Sequence, residues 1–193
     1  MHSNTLRRRR RMLSQLARLF EEQIVDLQQL LTIGYEGADF QDFLATLEAL
    51  GVTTLLDIRE LPISRRPGFA KTALRAGLAD VGIGYRHEPR LGSPKTIRYQ
   101  LRDDGDFPRF FRDFGRYLNT QADLLNELAE ELTGTVVLLC YERDYTTCHR
   151  RAVATALSEI TGITPKHQGV QPHAQRQAAA RARTHLGKSL SAA

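Results

Sequence analysis

The chain has no Trp, only two Cys and two Met among 193 residues, and aromatic side chains make up just 7% of it. Two cysteines cannot build a disulfide framework, which suits a reducing compartment and predicts a cytoplasmic protein. No apolar run approaches the ~18 residues needed to span a bilayer, so a transmembrane reading is excluded. A secretory leader is not expected either. After Arg7 to Arg11 the apolar residues are interrupted by Ser14, Gln15, Arg18, Glu21 and Glu22. There is no internal repeat, so function has to be sought in local motifs.

What is present fits a single ordinary domain: 41% hydrophobic and 25% charged residues leave enough apolar side chains for one core. The net charge of +5 is unevenly placed. Residues 1–28 carry +3 and residues 171–193 carry +4, while the stretch between them is slightly acidic. The high isoelectric point therefore belongs to arginine-rich tails, which can hold polyanions in a salt-dependent way but do not make the central body a nucleic-acid-binding fold. We divide the chain into a basic N-terminal extension (1–28), a central domain (29–170) and a basic C-terminal tail (171–193).

Leu13, Leu16, Phe20, Ile24, Leu27 and Leu31 recur at three- and four-residue steps and predict an amphipathic helix over 12–31, a surface on which a homodimer could form. From Leu30 the pattern changes to short apolar runs alternating with amphipathic stretches. Strands are expected at 30–33, 53–58, 83–87, 135–140 and 166–170. Helices are expected at 39–50, 69–81, 107–132 (divided near Asn119) and 149–161, with Leu61–Gly68 and Pro89–Arg102 as long loops. Alternating strands and helices predict a single α/β domain of three layers, Rossmann-like, with a mostly parallel sheet and helices on both faces. Ligands of such sheets bind beyond the carboxyl ends of the strands.

Reactive and charged residues crowd at those ends. The first strand exits into Tyr35 and Glu36, the second into Asp57, Arg59 and the loop with Ser64 and Arg65. The fourth exits into Cys140, Glu142 and Arg143, then Cys148, His149 and Arg150. With Thr147 as N-cap, Cys148 would lie in the first turn of a helix, where the partial positive charge favours a thiolate.

Thr32 to Gly37, Asp57-Ile58-Arg59 with Pro62 and Ser64-Arg65, Pro67-Gly68-Phe69, Leu91-Gly92, and Cys140-Tyr141-Glu142 with Cys148-His149-Arg150 together resemble the family called domain of unknown function 488, over about Thr32 to Val170. The resemblance implies a compact α/β domain and a shared site without naming a reaction. Leu56 to Glu60 and Val136 to Cys140 are also similar to the rhodanese-like strand pair with its loop cysteine, but no glycine lies between Cys140 and Arg150 to form the anion loop of those enzymes.

Three readings of the site follow. In the first, an enzyme handles a phosphorylated or other anionic substrate, a nucleotide or nucleic acid among them. Arg59, Arg65, Arg143 and Arg150 clamp the anion, Asp57 and Glu36 orient the arginines, Glu142 or His149 moves protons, and Cys148 or Cys140 is the nucleophile. In the second, Cys140, Glu142, Cys148 and His149 are metal ligands, or the two cysteines form a redox-sensing pair. Adjacent Cys148 and His149 would diverge from a helix start and no paired Cys-x-x-Cys is present, so no metal and no cofactor is assigned. In the third, the cleft binds a nucleotide or nucleic acid without catalysis, with Tyr35, Tyr85, Tyr99 and Tyr141 available to stack on bases. No membrane partner is expected.

Overall fold

The computed structural model describes residues 26–172. Among them are five strands, β1 (Leu27–Gly34), β2 (Thr54–Asp57), β3 (Gly84–His87), β4 (Gly134–Cys140) and β5 (Lys166–Gln168), in one sheet of order β3-β2-β4-β1-β5. All neighbouring strands run parallel. Six α-helices accompany them: α1 (Phe40–Ala49), α2 (Lys71–Asp80), α3 (Lys95–Asp104), α4 (Phe107–Asn119), α5 (Ala122–Glu131) and α6 (Arg150–Thr161). This is the expected Rossmann-like α/β architecture. No helix of the described residues is long and apolar enough to cross a membrane.

Every residue of β4 is buried, as an interior strand of a parallel sheet covered on both faces requires. Its side chains alternate between two cores. Val136 and Leu138 join Leu56, Ile58 and residues of α4, α5 and α6, among them Phe114, Leu125 and Val153. Val137 and Leu139 join Leu55, Tyr35, Phe69 and residues of α1 and α2 on the opposite face. The helices begin where local chemistry allows: Asp39 accepts the Gln41 and Asp42 backbone N–H groups ahead of α1, and Asp106 accepts that of Arg109 in α4.

The topology fixes the place of the cleft. The chain steps outward from β1 to β2 to β3 with α1 and α2 on one face, then returns through β4 to β5 with its later helices on the other. Strand β4 lies between β1 and β2, and its connection leaves by the face opposite to theirs. That divergence opens a crevice beyond its last residue, Cys140.

Two expectations need correction. Leu27 and Leu31, placed at the end of a helical stripe, lie in β1 and enter opposite cores, because pairing along β4 outweighs a weak local helical preference. The rest of that stripe, the proposed dimer surface on it and both arginine-rich tails fall outside the described residues. The stretch Pro89–Arg102 is no open loop: a 3-10 turn (Pro89–Leu91) leads into α3. None of the residues of α3 is fully buried, so there was no apolar stripe to reveal it.

Candidate functional site

The site grows out of the end of β4. After Cys140 the chain bends through Tyr141, Glu142 and Arg143 into a 3-10 turn (Tyr145–Thr147) held by Asp144, whose carboxylate accepts both the N–H and the hydroxyl of Thr146 at 2.8 Å. That turn ends before the helix starts. Thr147 is therefore not the cap of α6, and Cys148 is not in its first turn. Cys148 is extended (φ −110, ψ 140), and His149 at the helix boundary is already helical (φ −58, ψ −23). This pair of backbone conformations turns two adjacent side chains towards the same point, the convergence that a common helical start would have denied.

Arg150 locks the loop from beneath. It is 1% exposed, and its Nη1 and Nη2 donate to the carbonyls of Glu142 and Arg143. Gly34 at the end of β1 permits the approach, since a Cβ there would stand 2.7 Å from the Glu142 carbonyl carbon and nearer still to its oxygen.

Four donor atoms meet above this base: Cys140 Sγ, Glu142 Oε2, Cys148 Sγ and a ring nitrogen of His149 lie within 4.8 Å of one another. The Cys140 and Cys148 thiols donate to Glu142 Oε2 at 2.8 and 3.1 Å. His149 Nδ1 lies 3.5 Å from Cys140 Sγ and 4.0 Å from Cys148 Sγ. Its other nitrogen, Nε2, is 3.1 Å from the Ile58 carbonyl, and the Phe114 ring meets the imidazole edge-on at 5.4 Å. Burial pushes both thiols up, Cys148 well above its ordinary value with Cys140 adding to the effect. Burial, with Cys140 adding to it at Cys148 and Glu142 at Cys140, works against the thiolate expected from a helix start. Burial also works against the Glu142 carboxylate, but Cys140, the His149 ring and Cys148 outweigh it and hold Glu142 below its usual range. Burial opposes charge on His149 too; Cys148, Glu142 and the Ile58 carbonyl prevail and raise it.

Cys140, Glu142 and His149 line the floor of a cleft of about 320 Å³, with Cys148 behind them. Tyr35, Arg59 and Phe110 contribute to its walls, and the exposed side chains of Leu61, Ile63 and Tyr141 to its apolar rim. Ser93 and Arg98 supply further polar groups to the lining. Arg98 donates from Nη1 to the Ser93 carbonyl at 2.5 Å and places Nη2 2.8 Å from Glu60 Oε2. The Ser93 hydroxyl oxygen is buried and has no hydrogen-bond partner among the described residues. Gly92 makes this wall possible, because a Cβ there would lie 2.6 Å from Glu60 Cα.

The remaining candidate residues distribute as follows. Asp57 and Arg59 form a buried fork–fork pair (Nε–Oδ1 2.8 Å, Nη2–Oδ2 2.6 Å), and Arg59 Nη1 also donates to the Tyr35 hydroxyl and the Phe69 carbonyl. Burial opposes the Arg59 charge, but Asp57 outweighs it and keeps the guanidinium protonated. Tyr85 donates to Asp57 Oδ2, and burial together with that carboxylate pushes its hydroxyl up. Arg59 thus reaches the wall with its donors largely committed, and Tyr35, stacked on Phe69 at 4.3 Å, supports it. Ser64 accepts the backbone N–H of Arg66, and Arg65 is exposed; neither lines the cleft. Glu36 accepts the Arg143 N–H at 3.1 Å, which staples the β1 exit to the β4 exit, and both side chains are exposed outside the cleft. The structure brings Cys140, Glu142, Cys148 and His149 together, and of the four arginines only Arg59 lines the cleft. Arg98, Glu60, Ser93 and Phe110 are among the cleft residues that sequence reasoning missed. Phe110 was legible as part of the α4 stripe with Phe114 and Leu118; Arg98 sits on the polar helix that no periodicity announced.

The family described as Domain of unknown function DUF488 matches residues 39–157, more than half of the chain, and the chain belongs to that family. The match runs from the cap of α1 into α6, so it contains the four-residue cluster and stops short of β1 and β5. No curated protein and no solved structure matches.

Proposed function

We propose that this DUF488 member is an enzyme that hydrolyses a small anionic ester in the cleft beyond β4. The observation that carries the reading is the convergence of Cys140, Glu142, Cys148 and His149 at the topological switch of the sheet, with Cys140, Glu142 and His149 lining the cleft. Fold stability alone does not call for them. A buried polar cluster costs desolvation that apolar residues of similar volume would avoid, and such departures collect at functional sites. Glu142 serves as the base that takes a proton from water, with both thiols fixing its Oε2. Arg98 holds the anionic group, since its guanidinium lines the cleft together with Ser93, whose buried hydroxyl oxygen has no partner among the described residues. The rim of Leu61, Ile63 and Tyr141 covers the substrate body.

The test is turnover of para-nitrophenyl phosphate and bis(para-nitrophenyl) phosphate by the full chain, with the uncharged para-nitrophenyl acetate as the comparison. Glu142→Gln should lower kcat by roughly a hundredfold or more, the span of a general base, and Arg98→Ala should raise KM. Turnover that survives Glu142→Gln refutes the assignment. Nucleotide binding without any turnover, undiminished in Glu142→Gln, replaces it with a non-catalytic nucleotide-binding module.

A further inference from the structure

We propose that Cys140, Glu142, Cys148 and His149 form a binding site for one divalent ion of the zinc class. The proposal deepens the catalytic reading by naming a cofactor for the same site, and it stands on geometry alone. Two sulfurs, an imidazole nitrogen and a carboxylate oxygen are the donor mixture that selects zinc over magnesium or calcium. Zinc–sulfur and zinc–nitrogen bonds of about 2.3 and 2.0–2.1 Å in a tetrahedron place donor atoms roughly 3.5–3.8 Å apart. Here Cys140 Sγ and His149 Nδ1 are 3.5 Å apart, Cys148 Sγ and Nδ1 4.0 Å, and no separation in the cluster exceeds 4.8 Å. Side-chain shifts of about 1 Å or less would complete the shell.

The surroundings are those of a ligand set. With Nε2–H of His149 donating to the Ile58 carbonyl, the lone pair of Nδ1 faces the sulfurs, the arrangement that fixes tautomer and ring orientation in metal-bound histidines. The backbone N–H of Arg150 points at Cys148 Sγ over 3.4 Å, a hydrogen bond that suits a sulfur carrying negative charge. The Arg150 guanidinium ties down the carbonyls of Glu142 and Arg143, so the loop that offers the carboxylate is already in place. Binding is a balanced exchange. The ion enters, the proton of each thiol leaves for solvent, and the sulfurs and Nδ1 become ligands together with Glu142 Oε2. Glu142 Oε1 is left to act as the base. Cys140, Glu142 and His149 line the cleft, so the ion would face its interior. There, by the expansion to a fifth position that zinc sites allow, its charge would polarise a substrate oxygen.

The experiment uses the full chain, stripped of metal under reducing conditions and titrated with Zn²⁺ against a chromogenic chelator, with Co²⁺ as the spectroscopic substitute. The expected result is one Zn²⁺ per chain, proton release on binding, and a Co²⁺ complex with intense tetrahedral and thiolate charge-transfer absorption. Cys140→Ser and Cys148→Ser should each weaken Zn²⁺ by roughly a hundredfold or more, beyond the 10–100-fold typical of outer-shell changes. Far-ultraviolet circular dichroism confirms that both variants are folded, and Ser64→Ala, away from the cluster, should bind as wild type. Substoichiometric binding, a Co²⁺ spectrum without sulfur bands, affinity unchanged in the cysteine variants, or a Cys140–Cys148 disulfide in place of metal under reductant would each overturn the proposal. None of these readouts uses substrate, so a failed metal site and a failed hydrolytic reading are distinguished.

Discussion

Gly34→Ala adds one methyl group at the end of β1, where the strand runs against the loop that carries Glu142. The new Cβ would stand 2.7 Å from the Glu142 carbonyl carbon and 3.0 Å from Arg150 Nη1. Carbon atoms rest at about 3.5–4.0 Å and the carbonyl oxygen stands nearer still, so the loop has to retreat by about 1.5 Å. Arg150 Nη1 donates to that same carbonyl, and the retreat breaks the bond. A hydrogen bond to a charged donor contributes about 1.5–3 kcal/mol, and forcing a methyl into close-packed surroundings costs about 1–3 kcal/mol. The two together predict a loss of about 3–5 kcal/mol. For a chain of this size that corresponds to a fall in Tm of roughly 6–20 °C. The assay is urea denaturation of the full chain followed by circular dichroism, with Gly37→Ala as the comparison. Gly37 has φ 76 and open space around its Cβ position, so its substitution carries only left-handed strain of about 1–2 kcal/mol. If Gly34→Ala lies within ~1 kcal/mol of the wild type, or costs less than Gly37→Ala, the account of how β1 buttresses the site is wrong.

Two further outcomes are expected. Asp57→Asn removes one member of a buried pair, with Asp57 0% and Arg59 6% exposed, and should cost about 3–5 kcal/mol in urea unfolding because Arg59 is left uncompensated. Adding Arg59→Met should recover part of that loss, and strictly additive losses would show that the two side chains are not coupled. His167 is held below its ordinary value near 6.5 by burial and by Arg150 and Arg151, so the folded chain favours the neutral ring. Its contribution is full above about pH 6.5 and is lost as pH falls towards the folded value, because the unfolded chain takes up the proton first. His167 stacks on Tyr145 at 3.6 Å and its Nδ1 is 2.8 Å from Thr32 Oγ1. Urea midpoints at about pH 7.5 and 5.5 should therefore diverge more in the wild type than in His167→Gln, and equal slopes would refute the assignment.

The amino-acid sequence by itself determined the class of fold and the neighbourhood of the site. Short apolar runs at 30–33, 53–58 and 135–140 between amphipathic stretches can only bury their faces as a layered sheet, and the unbroken run from Thr135 to Cys140 marks a strand covered on both sides. The crowding of Cys140, Glu142, Cys148 and His149 at one exit followed from their order in the chain, because a strand end and the next helix start are close in space. Which partners these side chains take was decided by contacts distant in sequence, and no local period encodes those. The placing of β4 between β1 and β2 brought the Ile58 carbonyl to His149 and Gly34 to Glu142. Arg59 and Arg150 look like anion-binding groups in the sequence, but Asp57 and two backbone carbonyls take them up in the interior. The protonation of the cysteines was likewise a tertiary matter, since burial rather than the nearby helix sets it. Arg98 came to the cleft on a helix with no fully buried residue, positioned by Gly92 and the turn before it. Periodicity reports which face of an element is apolar; the choice among polar partners waits on the assembled chain, where desolvation makes each unpaired group costly.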